Sequence, residues 1–259
     1  MVTLGGSRLD RGADLCRNRA VIVGTVVALR RYPVKSMRAE SLDRADVHWV
    51  GLAGDRQCAF VKDAGRPGFP WLTGRDVPGL VRHEARFLDP ADPGRSRVRV
   101  LTPDGAAFDA GDPALAARLS AAAGEAVRPV RISRGTFDAM PVSVLTTAMV
   151  DRVAEAHGAA VSPGRFRANV VVETLPGAPP EEEWAGAGLI FGGDGARLRA
   201  DWPIPRCAMV TLDPDTAAKD PAVLRTVARR FGNEVGLYCA VERPGAIAVG
   251  DAVALVRSA

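Results

Sequence analysis

The segment Gly188-Leu-Ile-Phe-Gly-Gly-Asp-Gly-Ala-Arg-Leu-Arg-Ala200 contains two short apolar runs separated by a turn of glycine and aspartate. This pattern is typical of a β-hairpin, because glycine readily takes the positive φ values of tight turns. Similar short runs bounded by turn residues recur outward from it, at 21–29, 41–50, 56–62, 81–88, 97–102, 166–172, 207–212, 235–242 and 247–256. Such spacing predicts a β-barrel or sandwich, and a closed barrel is favoured because it leaves no exposed strand edge.

Three helices interrupt the strands. Asp112 before Pro113 predicts a helix start, and Gly124 predicts its end. Two more helices are predicted over 147–157 and 221–232. The predicted fold class is therefore mainly β with helices (α+β). It divides into a disordered tail over 1–20, an N-terminal β-barrel-like domain over 21–110 and a β-barrel domain over 111–259.

Composition limits the classes of function. The chain has 259 residues, a net charge of +4 and 31 arginines against 3 lysines. A basic balance can indicate nucleic-acid binding, but 5% aromatic residues and 30 dispersed acidic residues argue against that partner. No apolar run approaches the about 18 residues of a membrane span, and no secretory signal is present, so we expect no membrane contact and a cytoplasmic location. The four cysteines are dispersed and have no zinc-type spacing, which argues against a structural zinc site and against a disulfide framework. They indicate a reducing compartment.

Cys207 is the first candidate for chemistry. It stands in Pro203-Ile-Pro-Arg-Cys-Ala-Met209, and the neighbouring Arg206 would favour the thiolate, which is both a nucleophile and a soft metal ligand. The alternative is a buried structural cysteine. Cys58 and Cys239 are interpreted as core residues in this way, and the four tryptophans as packing residues.

Five other segments carry candidate anion-binding groups. They are 30–36 with Lys35 and Ser36, 51–56 with Arg56 together with 72–75, 143–147 with Ser143 and Thr146, and 165–169 with Arg167 and Asn169. Arginine, lysine and the free N–H groups of a helix start all suit a phosphate. Each segment also has a simpler interpretation: a solvated loop, a β-turn, a helix cap, or the solvent-facing side of a strand in which Arg165, Arg167 and Asn169 alternate onto one face.

Taken in order, these segments resemble proteins of the MOSC family, named for the C-terminal domain of molybdenum-cofactor sulfurases. The most specific pieces are Pro205-Arg-Cys207 with Asp213-Pro-Asp-Thr216, and the closing Gly245-Ala-Ile-Ala-Val-Gly-Asp251. The part before them resembles the β-barrel domain that precedes MOSC in many members. Two positions depart from the family pattern: Gly74 stands for a polar residue, and Ala168 stands for proline.

The resemblance implies a pocket for a molybdenum-pterin cofactor (Mo-molybdopterin). It implies Cys207 as the molybdenum ligand, with Arg206 assisting the thiolate. The implied cofactor-binding residues are Lys35, Ser36, Arg56, Ser143, Thr146, Arg167 and Asn169.

The implied activity is the reduction of small N-hydroxylated compounds, by oxygen transfer from substrate nitrogen to molybdenum. The chain has no cysteine run for an iron–sulfur cluster, so the electrons would come from a separate protein of the flavin-reductase or ferredoxin type. One alternative is a sulfur carrier with a persulfide on Cys207. Another is a non-catalytic protein that binds molybdopterin or nucleic acid.

Overall fold

A computed structural model of the chain describes residues 20–257. Apart from Ala20, the predicted tail 1–20 and its Cys16 lie outside the described residues. Within 20–257 the strands are β1 Ala20–Arg31, β2 Glu40–Leu42, β3 Arg44–His48, β4 Gly51–Leu52, β5 Cys58–Arg66, β6 Phe69–Trp71, β7 Glu84–Phe87, β8 Val98–Leu101, β9 Ala107–Asp109, β10 Val127–Arg131, β11 Val142–Thr146, β12 Val170–Thr174, β13 Gly188–Phe191, β14 Arg197–Pro205, β15 Glu234–Arg243, β16 Gly245–Ala248 and β17 Ala252–Val256. The α-helices there are α1 Pro113–Ala123, α2 Thr147–His157 and α3 Pro221–Arg230. Short 3-10 helices cover Pro78–Arg82, Pro163–Phe166, Glu181–Trp184 and Ala208–Thr211.

The largest sheet is a closed barrel of seven strands, in the order β12, β11, β15, β14, β13, β17 and β1. The pairing of β1 with β12 closes it, and β2 extends β1 at the edge. The predicted hairpin over 188–200 is confirmed as β13 and β14, with Leu189 opposite Leu198. The fold class of mainly β with helices is thus confirmed.

Besides the barrel, the structure contains three small sheets. They are β10-β5-β6, β7-β8-β9 and β16-β3-β4, and all their strands except β16 come from the part of the chain between β2 and β11. One apolar core fills the barrel, a second packs under β5, β7, β8 and α1, and a third lies between α2, α3 and the barrel wall. The first strand of the N-terminal half therefore completes the barrel of the C-terminal half.

Each α-helix begins at a side-chain cap, and α1 begins and ends at the predicted residues. The Asp112 side chain accepts the Ala114 N–H (2.8 Å), and Gly124 ends α1 in the left-handed conformation. The Thr146 hydroxyl accepts the Met149 N–H (3.1 Å) and starts α2, which ends at Gly158. Asp220 caps α3, which ends at Arg230 rather than Gly232 because Phe231 already leaves the helical conformation.

Several predicted strands are partly or wholly wrong. The 41–50 strand is split into β2 and β3, and the 247–256 strand is split into β16 and β17. The 166–172 strand begins only at Val170, because Ser162 and Pro163 start a 3-10 helix that ends with Arg167 at φ 54°. The 207–212 strand is a 3-10 helix in which the Thr211 hydroxyl donates to the Ala208 carbonyl (2.7 Å). The first residues of the 81–88 strand also belong to a 3-10 helix, and the strand covers only Glu84–Phe87.

Among residues 20–257, none of the helices is long and apolar enough to cross a membrane.

Candidate functional site

A cationic pocket lies where the barrel meets the N-terminal sheets. Its walls come from the loop after β1, the turn after β4, the start of β6, the 3-10 helix before β12, the end of β14 and the middle of β15. Its volume is about 110 Å³. It is lined by Lys35, Ser36, Arg56, Phe69, Thr73, Arg75, Asp138, Ser143, Arg165, Phe166, Arg167, Ile204, Pro205, Arg206, Cys207, Met209, Val210 and Tyr238.

Three of these residues have a backbone conformation that residues other than glycine rarely adopt. Ser36, Arg56 and Arg167 have φ values of 66°, 51° and 54°. Left-handed backbone at a non-glycine residue is unfavourable, and it persists where surrounding contacts impose it. The presence of three such residues around one pocket is typical of a functional site, where side-chain placement takes precedence over local stability.

Arg56 and Arg167 share a support. The Asp55 carboxylate, 1% exposed, accepts the Tyr32 N–H (2.8 Å) and also pairs with Arg56. Arg56 in turn donates to the Arg167 carbonyl (3.0 Å), and the two guanidinium carbons lie 4.5 and 4.2 Å from the centre of the Tyr32 ring. These contacts hold two positive charges side by side at the pocket wall.

Arg167 has spare hydrogen-bonding capacity. Its Nη2 is buried and has no hydrogen-bond partner among the described residues. Burial lowers the pKa of this guanidinium to about 10, so the group is still charged at neutral pH. A buried donor without an acceptor is costly, and an anion in the pocket would relieve that cost.

Arg206 repeats this arrangement on the barrel side. Its Nε donates to the Val235 carbonyl (2.7 Å) and its Nη1 donates to the Phe166 carbonyl (2.9 Å). Its Nη2 is buried with no partner among the described residues, and burial lowers the pKa of the group to about 10. Two backbone carbonyls thus fix the guanidinium plane while one nitrogen remains available.

Lys35 and Asp138 form an ion pair in the lining of the pocket. The Lys35 ammonium donates to Asp138 Oδ1 (2.6 Å) and to the Thr136 carbonyl (2.6 Å). Burial lowers the pKa of Lys35, although Asp138 opposes the shift. Burial also acts to raise the pKa of Asp138, but the charge and hydrogen bond of Lys35 outweigh it, and the pKa lies below its ordinary value.

Cys207 lies at the mouth of the pocket. Its thiol is exposed, whereas Cys58 and Cys239 are buried, as predicted for core cysteines. It also lines a second cavity of about 720 Å³, which we call the outer cleft. The outer cleft is lined by Lys62, Ala64, Arg66, Phe69, Trp71, Arg75, Asp76, Asp138, Ala139, Trp202, Pro205, Cys207 and Tyr238. The thiol therefore stands between a cationic pocket and an open cleft.

Most of the predicted site residues meet in this pocket. Lys35, Ser36, Arg56, Ser143, Arg167, Arg206 and Cys207 all line it. Thr146 does not, because it is buried as the cap of α2. Asn169 is also buried outside the lining. Its Oδ1 accepts the Ser143 N–H (3.1 Å) and its Nδ2 donates to the Arg30 carbonyl (3.1 Å), so it ties β11 to β1 at the barrel closure.

Arg165 and Arg167 do not share a strand face, because both lie at the 3-10 helix before β12. Asp138, Tyr238 and Phe69 also line the pocket, although the sequence did not predict them. No local motif marks Asp138, because it is 103 residues away from Lys35 in the chain.

A buried carboxylate supports the site from the barrel interior. Glu181 is 4% exposed, and its two oxygens accept the Thr146 N–H and the Gly236 N–H, both at 2.6 Å. Burial raises the pKa of Glu181 to about 7. Gly236 has φ 77°, and a Cβ there would lie 2.8 Å from Arg206 Nη2. Glu181 thus holds the backbone against which Arg206 packs.

Two family models match this chain. The MOSC domain model matches residues 131–254, and the model of the MOSC N-terminal beta barrel domain matches residues 23–142. The chain belongs to the MOSC family, in the arrangement with an N-terminal β-barrel domain. This is a molybdenum-cofactor-related family of oxidoreductases and sulfur carriers.

The individual proteins that the chain resembles share only low sequence identity with it. The chain is 28% identical to mitochondrial amidoxime reducing component 2 of Bos taurus over 293 residues, covering 92% of this chain and 84% of the bovine protein. Among solved structures, it is similar to the YuaD protein of Bacillus subtilis, at 17% identity and a TM-score of 0.49, over 92% of this chain and 98% of that chain. It is also similar to YiiM of Geobacillus stearothermophilus, at 18% identity and a TM-score of 0.36, over 46% and 55%.

Proposed function

We propose that this chain is a molybdenum-cofactor-dependent oxidoreductase that reduces N-hydroxylated compounds with electrons from a separate flavin-reductase or ferredoxin-type protein. One observation carries the proposal: an exposed thiol, Cys207, stands at the mouth of a pocket in which Arg167 and Arg206 each keep a buried donor without a partner among residues 20–257. The matches to the MOSC models and to the bovine protein support the same class.

The pocket suits an anionic ligand. Its lining, drawn from the described residues, has six cationic side chains and one carboxylate. Asp55 and Asp213 each compensate one arginine from behind, and Asp138 compensates Lys35. The remaining positive charge would attract a phosphate such as that of a pterin cofactor. Lys35, Ser36, Arg56, Ser143, Arg167 and Arg206 would hold it.

The described residues offer few metal-binding groups near Cys207, which suits a metal that is delivered within an organic cofactor. Nowhere among residues 20–257 do three or more His, Cys, Asp or Glu side chains gather in a group able to hold a metal ion. A single thiolate does not retain a bare ion, because metal sites in proteins use several ligands. Cys207 would therefore complete the coordination of a metal that brings its other ligands with it, and the donor set fits that group.

The protein would supply orientation and electrostatics. Cleavage of the substrate N–O bond needs two electrons and two protons, and the bound cofactor would supply the redox chemistry. The outer cleft would give a substrate access to Cys207 without passing through the pocket that Arg167 and Arg206 line. Tyr238 lines both cavities, and because burial raises the pKa of its hydroxyl, it remains protonated beside the thiol.

The test is the cofactor content of protein purified from a host that makes molybdopterin. We expect near-stoichiometric molybdenum and oxidised pterin in the wild type, and loss of molybdenum in Cys207→Ala. Cys58→Ala is the matched control, because this cysteine is buried away from the pocket lining. Chemically reduced wild-type protein should then consume benzamidoxime, whereas Cys207→Ala should not.

Two results would contradict the proposal in different ways. A metal-free wild type that carries cyanide-labile sulfur on Cys207 would favour the sulfur-carrier function. Bound molybdenum without turnover of any N-hydroxylated compound would leave the cofactor assignment standing and refute the reaction.

A further inference from the structure

Four aromatic side chains surround the outer cleft beside Cys207. They are Phe69, Trp71, Trp202 and Tyr238. In a chain with only 5% aromatic residues, this is a local concentration. The volume of about 720 Å³ is that of a small-molecule site. The pocket chemistry described above involves Tyr238 but leaves the two tryptophans without a role.

Trp202 is held in place yet left open on one side. It pairs with Tyr238 across β14 and β15, and the two rings meet edge-on, with centroids 6.3 Å apart and planes at 69°. The pairing of β14 with β15 shifts register between Ala200 and Trp202 and between Pro203 and Pro205, on both sides of this residue. Its side chain is nevertheless 46% exposed. An indole that is fixed by one neighbour and partly uncovered has an apolar ring face available for stacking.

Trp71 comes from the other half of the molecule. It lies in β6, which pairs with β5 in an N-terminal sheet, whereas Trp202 lies in the barrel. Phe69, also in β6, contacts Arg75, whose guanidinium carbon lies 4.8 Å from the centre of the Phe69 ring. The cleft therefore has aromatic residues from both sheets.

We infer that the outer cleft selects planar aromatic substrates and that Trp202 is the residue that determines this specificity. An aromatic ring stacks on the uncovered indole, which places a substituent at the ring edge next to Cys207. As a statement about substrate, the inference rests on the proposed function. It narrows N-hydroxylated compounds to those in which the N–OH group is attached to or conjugated with a flat ring, such as aromatic amidoximes and N-hydroxylated heterocyclic bases.

The test compares two probes that differ in the ring. Isothermal titration calorimetry of the cofactor-loaded, unreduced protein measures the binding of benzamidoxime and of acetamidoxime, which lacks a ring. We expect the wild type to bind benzamidoxime at least tenfold more tightly, equivalent to about 1.4 kcal/mol, and Trp202→Leu to lose most of this preference. Trp202→Phe should keep part of it. The control is Trp49→Leu, because Trp49 is 67% exposed between β3 and β4 and does not line the cleft.

The outcomes separate this inference from the proposed function. If the wild type shows no ring preference, or if Trp202→Leu keeps it, the role of Trp202 is refuted even when both amidoximes are reduced. If the preference is present and disappears in Trp202→Leu while neither compound is reduced, the cleft assignment stands and the proposed reaction fails. Unchanged molybdenum content and circular dichroism in the variants would establish that they are folded and loaded.

Discussion

Replacing Glu181 with glutamine tests the buried carboxylate behind the pocket. In the wild type, each carboxylate oxygen accepts one backbone N–H, from Thr146 and from Gly236, at 2.6 Å. Glutamine offers one oxygen and one NH₂ group, so one of these N–H groups would face another donor. A buried donor left unsatisfied costs about 1–3 kcal/mol. We therefore expect Glu181→Gln to be destabilised by about that amount at pH 5.

The cost should change with pH because only the carboxyl group titrates. Burial raises the folded-state pKa of Glu181 from 4.5 to about 7. A raised carboxyl pKa means that its favourable contribution is complete below pH 4.5 and is lost as the pH rises through about 7. A shift of this size corresponds to a loss of about 3 kcal/mol in the wild type between those limits, and glutamine does not share this loss. The destabilisation of Glu181→Gln should therefore shrink, and approach zero or reverse, by pH 8.

Urea unfolding followed by circular dichroism at pH 5, 6, 7 and 8 measures the difference. Taking the variant relative to the wild type at each pH cancels the titration of all other groups. Glu182→Gln is the matched control, because Glu182 lies in the same 3-10 helix but forms an exposed ion pair with Arg152. An equal free-energy difference at pH 5 and pH 8 would refute the argument from the raised pKa of Glu181.

Two further variants test the pocket supports. Thr146→Ala should lose about 1 kcal/mol of stability through the missing cap of α2, yet keep its molybdenum; thermal melting and metal analysis check this, and lost metal would show that Thr146 does contact the cofactor. Gly236→Ala should be less stable and retain less molybdenum than Gly232→Ala. Both glycines have positive φ, but only a Cβ at 236 meets Arg206, so equal retention in the two variants would contradict the role assigned to Arg206.

The helices and their caps could be predicted because their signals are local. The side chains of Asp112, Thr146 and Asp220 each accept a backbone N–H two or three residues further along, at the start of a helix. These contacts depend only on neighbouring sequence. The hairpin around Gly192 is of the same kind. Barrel closure was predicted as a class, but the pairing of β1 with both β12 and β17 depends on contacts across the whole chain.

The 3-10 helices were missed for a physical reason. The run after Cys207 is short and mostly apolar, and such a run does not distinguish a strand from a helical turn. The run before β12 alternates arginine with other residues, which suits a strand, but a 3-10 helix starts there at Pro163. The left-handed backbone of Arg167 is imposed by tertiary contacts, among them its carbonyl accepting from Arg56. No pattern in the segment 165–169 reveals this.

The basic residues of the site were recognisable by type, and the structure brings most of them together. What sequence alone could not supply was their acidic and aromatic surroundings. Asp138 meets Lys35, and Tyr32 lies beneath Arg56 and Arg167, only because the fold joins distant segments. All four tryptophans were interpreted as packing residues. Trp184 is fully buried, but Trp49 and Trp202 are exposed, which corrects that interpretation for these two.

The pairing of β1 with β17 sets the order of events during synthesis. The first barrel strand leaves the ribosome early, but its partners β12 and β17 begin only at Val170 and Ala252. At about 5–20 residues per second, the nascent chain waits on the order of 10 to 50 s before the last strand emerges. Until then the edge of β1 that pairs with β17 has no partner strand and is open to chaperones or to misassociation. A closed barrel can therefore form, and its pocket be loaded with a cofactor, only after β17 has been made.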